Sequence, residues 1–191
     1  MNQLRISAVL LAAGLSRRYG TNKLLARAEG LPLYRRAFFA LPPSLFAQAA
    51  VVSCYDEILA AAGEAGYLPV RNPDPGAGQS SSLRLGLAAL DAPDAVLFSV
   101  CDQPKLTQES VTGLIAAHRA SPEHITALSW KGRRGNPVIF PAHWFPALMA
   151  LTGDVGGGAV LRVHPEAVRL WEVGSPEELD DWDTPPGGAA L

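Results

Sequence analysis

The chain has 191 residues, the length of one ordinary domain with a sizeable core and awkward for two. Hydrophobic residues make up 48% of it and charged residues 18%, which excludes a disordered chain. A formal net charge of -2 provides no broad basic footprint, so neither nucleic acid nor a membrane surface is an expected partner, and phosphate binding must come from a local site.

The amino-terminal apolar run follows one arginine but carries Ser7 and leads into glycine and two arginines, where a signal peptide would have small residues and a cleavage site. It reads as a buried strand over 4–12. No apolar stretch approaches the roughly 20 residues of a membrane helix. After a glycine-rich loop, Pro32 stands where a helix can begin without losing a needed N–H, so residues 33–41 are predicted helical until Pro42 and Pro43 end the run. A strand over 49–54 is followed by Asp56 as the N-cap of a helix through Ala65, with Gly66 as its stop. Residues 67–71 form a short strand and 72–79 a loop. Residues 80–90 are helical, with Leu83, Leu87 and Leu90 on one face.

The most buried strand is predicted at 95–100, ending in Cys101-Asp102-Gln103-Pro104. Thr107 caps a helix to about His118. Strands at 125–130 and 137–140 flank the turn 131–136 as a hairpin, in which Pro137 confines the second strand to an edge or a strand start. Residues 141–151 resemble one more helix, interrupted by Pro146; the tail beyond Trp171 is acidic, and residues 185–191 are expected to fray. Strands alternating with helices predict an α/β sheet that binds ligands beyond the carboxyl ends of its strands. Cys54 and Cys101 lie outside any CxxC pattern and read as buried thiols in a reducing, cytoplasmic compartment. His118, His124, His143 and His164 have no partners at metal-ligand spacing and read as structural.

Chemistry concentrates in the loops that leave three strand ends. Residues 11–23 combine Leu11, Ala12, Ala13 and Gly14 with Ser16, Arg17, Arg18, Gly20 and Lys23. Small residues let backbone N–H groups approach phosphate oxygens and fixed cations neutralise them, so a polyphosphate is the natural guest. The segment fits neither the P-loop GxxxxGK[ST] nor the dinucleotide GxGxxG pattern. Asp102 is displayed by a proline turn and suits Mg2+, which takes one or two carboxylates plus substrate phosphates; as a bare position it equally suits a turn or cap aspartate. Gly78, Ser80, Ser81 and Ser82 open a helix and offer hydroxyls and N–H groups to a phosphate or base, or simply cap that helix. Gly135-Asn136-Pro137 and Gly153-Asp154 are turns first, although a glycine cluster holding one aspartate also wraps ligands. No Ser/His/Asp or Cys/His set stands out.

Taken in order, these pieces resemble the MobA-like nucleotidyltransferase family. Its LAAGxSxRxG with a following lysine is matched by Leu11-Ala12-Ala13-Gly14, Ser16, Arg18, Gly20 and Lys23. The likeness continues through Gly78 to Leu83 and Gly86, Asp102-Gln103-Pro104, Gly135-Asn136-Pro137-Val138, Gly153-Asp154 with Gly156, and Asp183-Thr184-Pro185. It is nearest to the molybdenum cofactor cytidylyltransferases. Tyr19 replaces a usual methionine, and Val155 replaces an arginine common in the GD-x-G motif.

The resemblance implies a single Rossmann-like three-layer α/β domain with a mostly parallel central sheet, of the nucleotide-diphospho-sugar transferase kind. It implies transfer of CMP from CTP to the phosphate of Mo-molybdopterin with release of pyrophosphate. Arg18 and Lys23 would hold the triphosphate, and Asp102 with Asp183 would hold Mg2+ or Mn2+. Leu11, Ala12, Ala13, Gly14, Gly78, Ser80, Ser81 and Ser82 would line the nucleotide pocket, and Gly135, Asn136, Gly153 and Asp154 the acceptor side. A molybdenum hydroxylase or its maturation factor is the expected partner. The alternatives are a guanylyltransferase or another small-molecule nucleotidyltransferase of the same family, and a non-catalytic molybdopterin carrier.

Overall fold

The apolar hexapeptide Ile6–Leu11 forms β1, whose residues are buried up to its last position. It lies at the heart of the sheet, as a strand without charged side chains must if both faces are to be covered. The structure, a computed structural model, describes residues 4–14 and 22–182. A two-residue hairpin pair, β2 (Arg27–Ala28) and β3 (Leu31–Pro32), leads into α1 (Leu33–Ala40), with Pro32 just ahead of the helix as predicted. Then follow β4 (Ala49–Ser53), α2 (Asp56–Glu64), β5 (Leu68–Arg71), α3 (Gln79–Ala88), β6 (Ala95–Val100), α4 (Gln108–Ala120), β7 (Ile125–Trp130) and β8 (Arg133–Pro141). The short helices α5 (Phe145–Met149) and α6 (Gly158–Val163) and the strand β9 (Val168–Glu172) complete the fold.

The main sheet has the order β5-β4-β1-β6-β8-β7-β9. Every neighbouring pair is parallel except those made by β8, so the sheet is mostly parallel. One layer, carrying α1, α2 and α4, packs on Ala8, Leu10, Val51 and Leu97; the other, carrying α3, α5 and α6, packs on Val9, Val52, Val96 and Phe98. Alternate residues of each strand thus serve opposite layers, which is the period of a pleated strand. From β1 the chain runs outward to β4 and β5, then returns to place β6 on the other side of β1. The carboxyl ends of β1 and β6 therefore form the switch point where such sheets bind ligands. Leu11 pairs with Val100, so the loops after both strands emerge side by side.

Several local expectations need correction. Asp56 is the first residue of α2, whose N-cap is Tyr55. The predicted six-residue hairpin turn shrinks to two residues, because Lys131 and Gly132 both take positive φ and close it as Trp130 pairs with Arg133. Pro137 lies in an interior strand, not at an edge or start: β8 sits between β6 and β7. Its missing N–H is tolerated because pairing with β6 ends at Val138 and the β7 register is interrupted between Ala127 and Ser129. Pro146 interrupts nothing; it occupies the first turn of α5. The strand β9 escaped notice because Arg169 and Glu172 break its apolar run, and what docks it is Trp171 lying over Gly113 of α4, where a Cβ would sit 2.1 Å from the indole.

Thr107 caps α4 as expected, its hydroxyl accepting from Ser110 N–H. Near the other end of that helix His118 is fully buried; its Nδ1 lies 3.0 Å from Thr126 Oγ1, and its Nε2 has no partner among the described residues. Burial draws its pKa from 6.5 down to about 4. The folded state thus holds a neutral ring that the unfolded chain protonates, so this contribution to stability is complete above pH 6.5 and is lost as pH falls toward 4. Urea unfolding should give a stability lower by about 2–3 kcal/mol at pH 4.5 than at pH 7.5. His118→Gln should flatten that difference, and an unchanged slope would refute the assignment.

Candidate active site

At the switch point Lys23 Nζ donates to Asp102 Oδ2 at 2.6 Å, across 79 positions of sequence. The two side chains keep 22% and 17% of their surface, sheltered but not sealed from water. Lys23 opens a single 3-10 turn, Lys23–Leu25, which Asn22 caps by accepting from Leu24 N–H, while Leu24 is buried in the core. Asp102 stands two residues past the end of β6. Its second oxygen, Oδ1, is buried and has no hydrogen-bond partner among the described residues. An orphaned, buried carboxylate oxygen beside a cation is costly unless something else uses it, and a divalent cation with a bound polyphosphate would.

Leu11 ends β1, and Ala12, Ala13 and Gly14 pass over the end of β4. Ala12 N–H donates to Val52 O, while Ser53 Oγ donates to Ala12 O at 2.8 Å and Tyr55 OH to Gly14 O at 3.1 Å. Sequence reading missed Ser53 and Tyr55. Their signal was polar side chains ending an otherwise apolar strand that neighbours β1, and it becomes readable only once β4 is known to be that neighbour. Arg18 and Asp183 lie outside the described residues. The chain nonetheless returns to the site, because Trp182 N–H donates to Asp102 O at 2.7 Å.

Gly78 and the serines form a braced corner. Gly78 takes φ +91° and presses on the Gly153 backbone. Ser80 Oγ donates to Gly153 O at 2.8 Å, and Gln79 N–H reaches Asp154 Oδ1 at 3.3 Å. The hydroxyls of Ser81 and Ser82 accept from Asn72 Nδ2 at 2.9 and 2.8 Å. The hydroxyls expected to face a ligand are therefore engaged within the protein. What the corner can offer a nucleotide is its shape and backbone. Gly153 and Asp154 meet this corner as its cap. Gly135 and Asn136 lie in β8 just beyond its pairing with the carboxyl-terminal half of β6, Gly135 packed so closely on Leu179 that a Cβ would come within 2.8 Å of it. Leu179 O in turn accepts from Gln103 Nε2, and Glu178 accepts from Thr107 N–H and Oγ1, which bolts the 176–182 segment beside Asp102.

A doubly wound sheet whose two central strands bring a glycine loop, a lysine and an aspartate to one edge has the build of a nucleotidyltransferase domain. A family model described as the MobA-like NTP transferase domain matches residues 8–168, and the chain belongs to that family. Nicotine blue oxidoreductase of Paenarthrobacter nicotinovorans is 29% identical to it, over 94% of this chain and 92% of that protein. A molybdenum cofactor guanylyltransferase of Rhodobacter capsulatus is 32% identical over 67% of this chain and 70% of that one. Among solved structures, Rv0371C of Mycobacterium tuberculosis in complex with manganese superposes with a TM-score of 0.72 at 23% identity, covering 94% of this chain and 95% of that one. Among the described residues, no helix is long and apolar enough to cross a membrane.

Proposed function

We propose that the protein is a molybdenum cofactor cytidylyltransferase, transferring CMP from CTP to the terminal phosphate of Mo-molybdopterin in the cytoplasm. The observation that carries the transferase reading is the Lys23–Asp102 pair at the junction of β1 and β6. An acceptor phosphate oxygen attacks the α-phosphorus of CTP, a new P–O bond forms, and the bond to the β-phosphate oxygen breaks to release pyrophosphate. The reactants are all anions, so positioning and charge neutralisation dominate the barrier. Lys23, with Arg18, neutralises the β- and γ-phosphates, and the N–H groups of Ala13 and Gly14 orient the nucleotide. Gly78 and Ser80–82 shape the wall opposite, and Gly135, Asn136, Gly153 and Asp154 border the acceptor side. No side-chain nucleophile is needed.

The orphaned Oδ1 of Asp102 fits a divalent cation, Mg2+ or Mn2+, with Asp183 as second carboxylate; the metal would draw charge from the reacting phosphates. The manganese held by the mycobacterial protein of the same fold supports that choice. The product would pass to a molybdenum hydroxylase or its maturation factor.

Parallel assays of pyrophosphate release from CTP, GTP and ATP with Mo-molybdopterin test the proposal, and turnover with CTP is expected. A strong preference for GTP would replace the cytidylyl assignment with the guanylyl one, which the Rhodobacter relative favours. The oxidoreductase name of the Paenarthrobacter relative favours a further reading, nucleotide-dependent reduction, which NADH or NADPH oxidation without pyrophosphate release would reveal.

Gly14 supplies a sharper probe of where the nucleotide lies. Among the described residues, nothing stands within 4 Å of a Cβ built there, so Gly14→Ala should leave folding within about 0.5 kcal/mol. If a nucleotide seats against that backbone, the methyl occupies its space, and affinity for CTP should fall about tenfold or more in calorimetric titration. Unchanged affinity would move the nucleotide elsewhere.

A further inference from the structure

We infer that Ser53 and Tyr55, at the end of β4, are positioning residues that turn the nucleotide-loop peptides so that the N–H groups of Ala13 and Gly14 face the substrate. The inference rests on the proposed role of residues 12–14 in nucleotide binding.

Three consecutive side chains meet three consecutive carbonyls. Ser53 Oγ donates to Ala12 O at 2.8 Å, Cys54 Sγ lies 3.9 Å from Ala13 O, and Tyr55 OH donates to Gly14 O at 3.1 Å. In a trans peptide the N–H points opposite to the carbonyl oxygen. Carbonyls of Ala12 and Ala13 turned toward β4 therefore leave the N–H groups of Ala13 and Gly14 turned away from it. Because β1 lies between β4 and β6, that direction is the side on which Lys23 and Asp102 sit. Aligned peptide N–H groups of this kind make an anion-binding concavity.

The anchors are themselves held. Ser53 is fully buried and its hydroxyl also accepts from Tyr55 N–H at 3.1 Å. Arg71 of β5 grips the turn from outside, donating to Cys54 O and to the Asp56 carboxylate. The Tyr55 ring packs on the core beneath the α1 and α2 layer, which fixes where its oxygen can be. Burial raises the phenol above its ordinary pKa, so it remains a donor throughout the assay range. A tyrosine at this place spans from packed core to the last described peptide of the loop, a reach that no shorter hydroxyl has.

Tyr55→Phe isolates the effect, since the ring and its packing stay while the donor to Gly14 O is lost. Titration calorimetry with CTP and separately with GTP, each with MgCl2, should show binding weaker by about three- to tenfold, as expected for one lost hydrogen bond. The factor should be the same for both nucleotides, because a backbone-mediated effect is blind to the base. The melting temperature should stay within error of the parent. In turnover assays KM for the nucleotide should rise by that factor while kcat changes less than about twofold. Wild-type affinity in Tyr55→Phe, alongside weakened binding in Lys23→Ala and Gly14→Ala, would overturn the inference and leave the site intact. Wild-type affinity in all three variants would remove the site itself, and the inference with it.

Discussion

Replacing Asp102 with alanine is expected to lower the rate of pyrophosphate release by at least about a thousandfold, roughly 4 kcal/mol of transition-state stabilisation. The variant removes the carboxylate that pairs with Lys23 at 2.6 Å and, in the same side chain, the buried oxygen with no described partner. Its contact with Trp182 runs through the backbone carbonyl and survives, so the carboxyl-terminal segment keeps its anchor. Both members of the pair retain some solvent access, so Lys23 keeps its contact with water in the variant. A coupled pyrophosphate assay, with circular dichroism to check the fold, reads the outcome. Asp102→Asn, which keeps the shape but loses the charge, should be nearly as inactive. A non-catalytic molybdopterin carrier would behave otherwise: pterin binding and delivery would persist in Asp102→Ala. Retained pyrophosphate release in that variant would defeat the metal assignment.

Gly78→Ala should be strongly damaging, costing about 2–4 kcal/mol of stability and several degrees of melting temperature. The added Cβ would stand 2.3 Å from Gly153 C, 2.4 Å from Gly153 O and 2.5 Å from Asp154 N, all backbone atoms with no flexible end to swing aside. The residue also has φ +91°, where a side chain is strained whatever the space. Moving the 153–154 turn outward would break the bonds from Ser80 Oγ to Gly153 O and from Gln79 N–H to Asp154. Thermal denaturation beside Gly14→Ala makes the contrast: one glycine of the site is needed for folding, the other for ligand. A Gly78→Ala protein that melts like the parent would refute the close packing.

Gly14 and Gly78 differ in what the fold packs against them. Apolar runs expected as strands over 4–12, 49–54 and 95–100 hold the central strands, because a fully buried strand tolerates no charge and its composition says so. Pro32, Thr107 and the Pro42-Pro43 pair marked helix boundaries by local rules that need no tertiary context. Strand β9 was not legible, since Arg169 and Glu172 disguise it and its place depends on Trp171 meeting Gly113. Nor was the interior position of Pro137, which only the interrupted β7–β8 register accommodates.

Within the site, Lys23 and Asp102 stand out in the sequence as residues of suitable chemistry beyond the ends of two apolar runs. Residue type and the ends of apolar runs are local properties, written directly in the order of amino acids. The 79-residue closure that joins the two was decided by the strand order, which sets β1 beside β6 with Leu11 against Val100. The same order gave the serines of α3 their inward duties with Asn72 and Gly153, and brought Ser53 and Tyr55 under the glycine loop. Which hydrogen bond a hydroxyl makes depends on the partner that long-range packing delivers, and no local pattern encodes that partner.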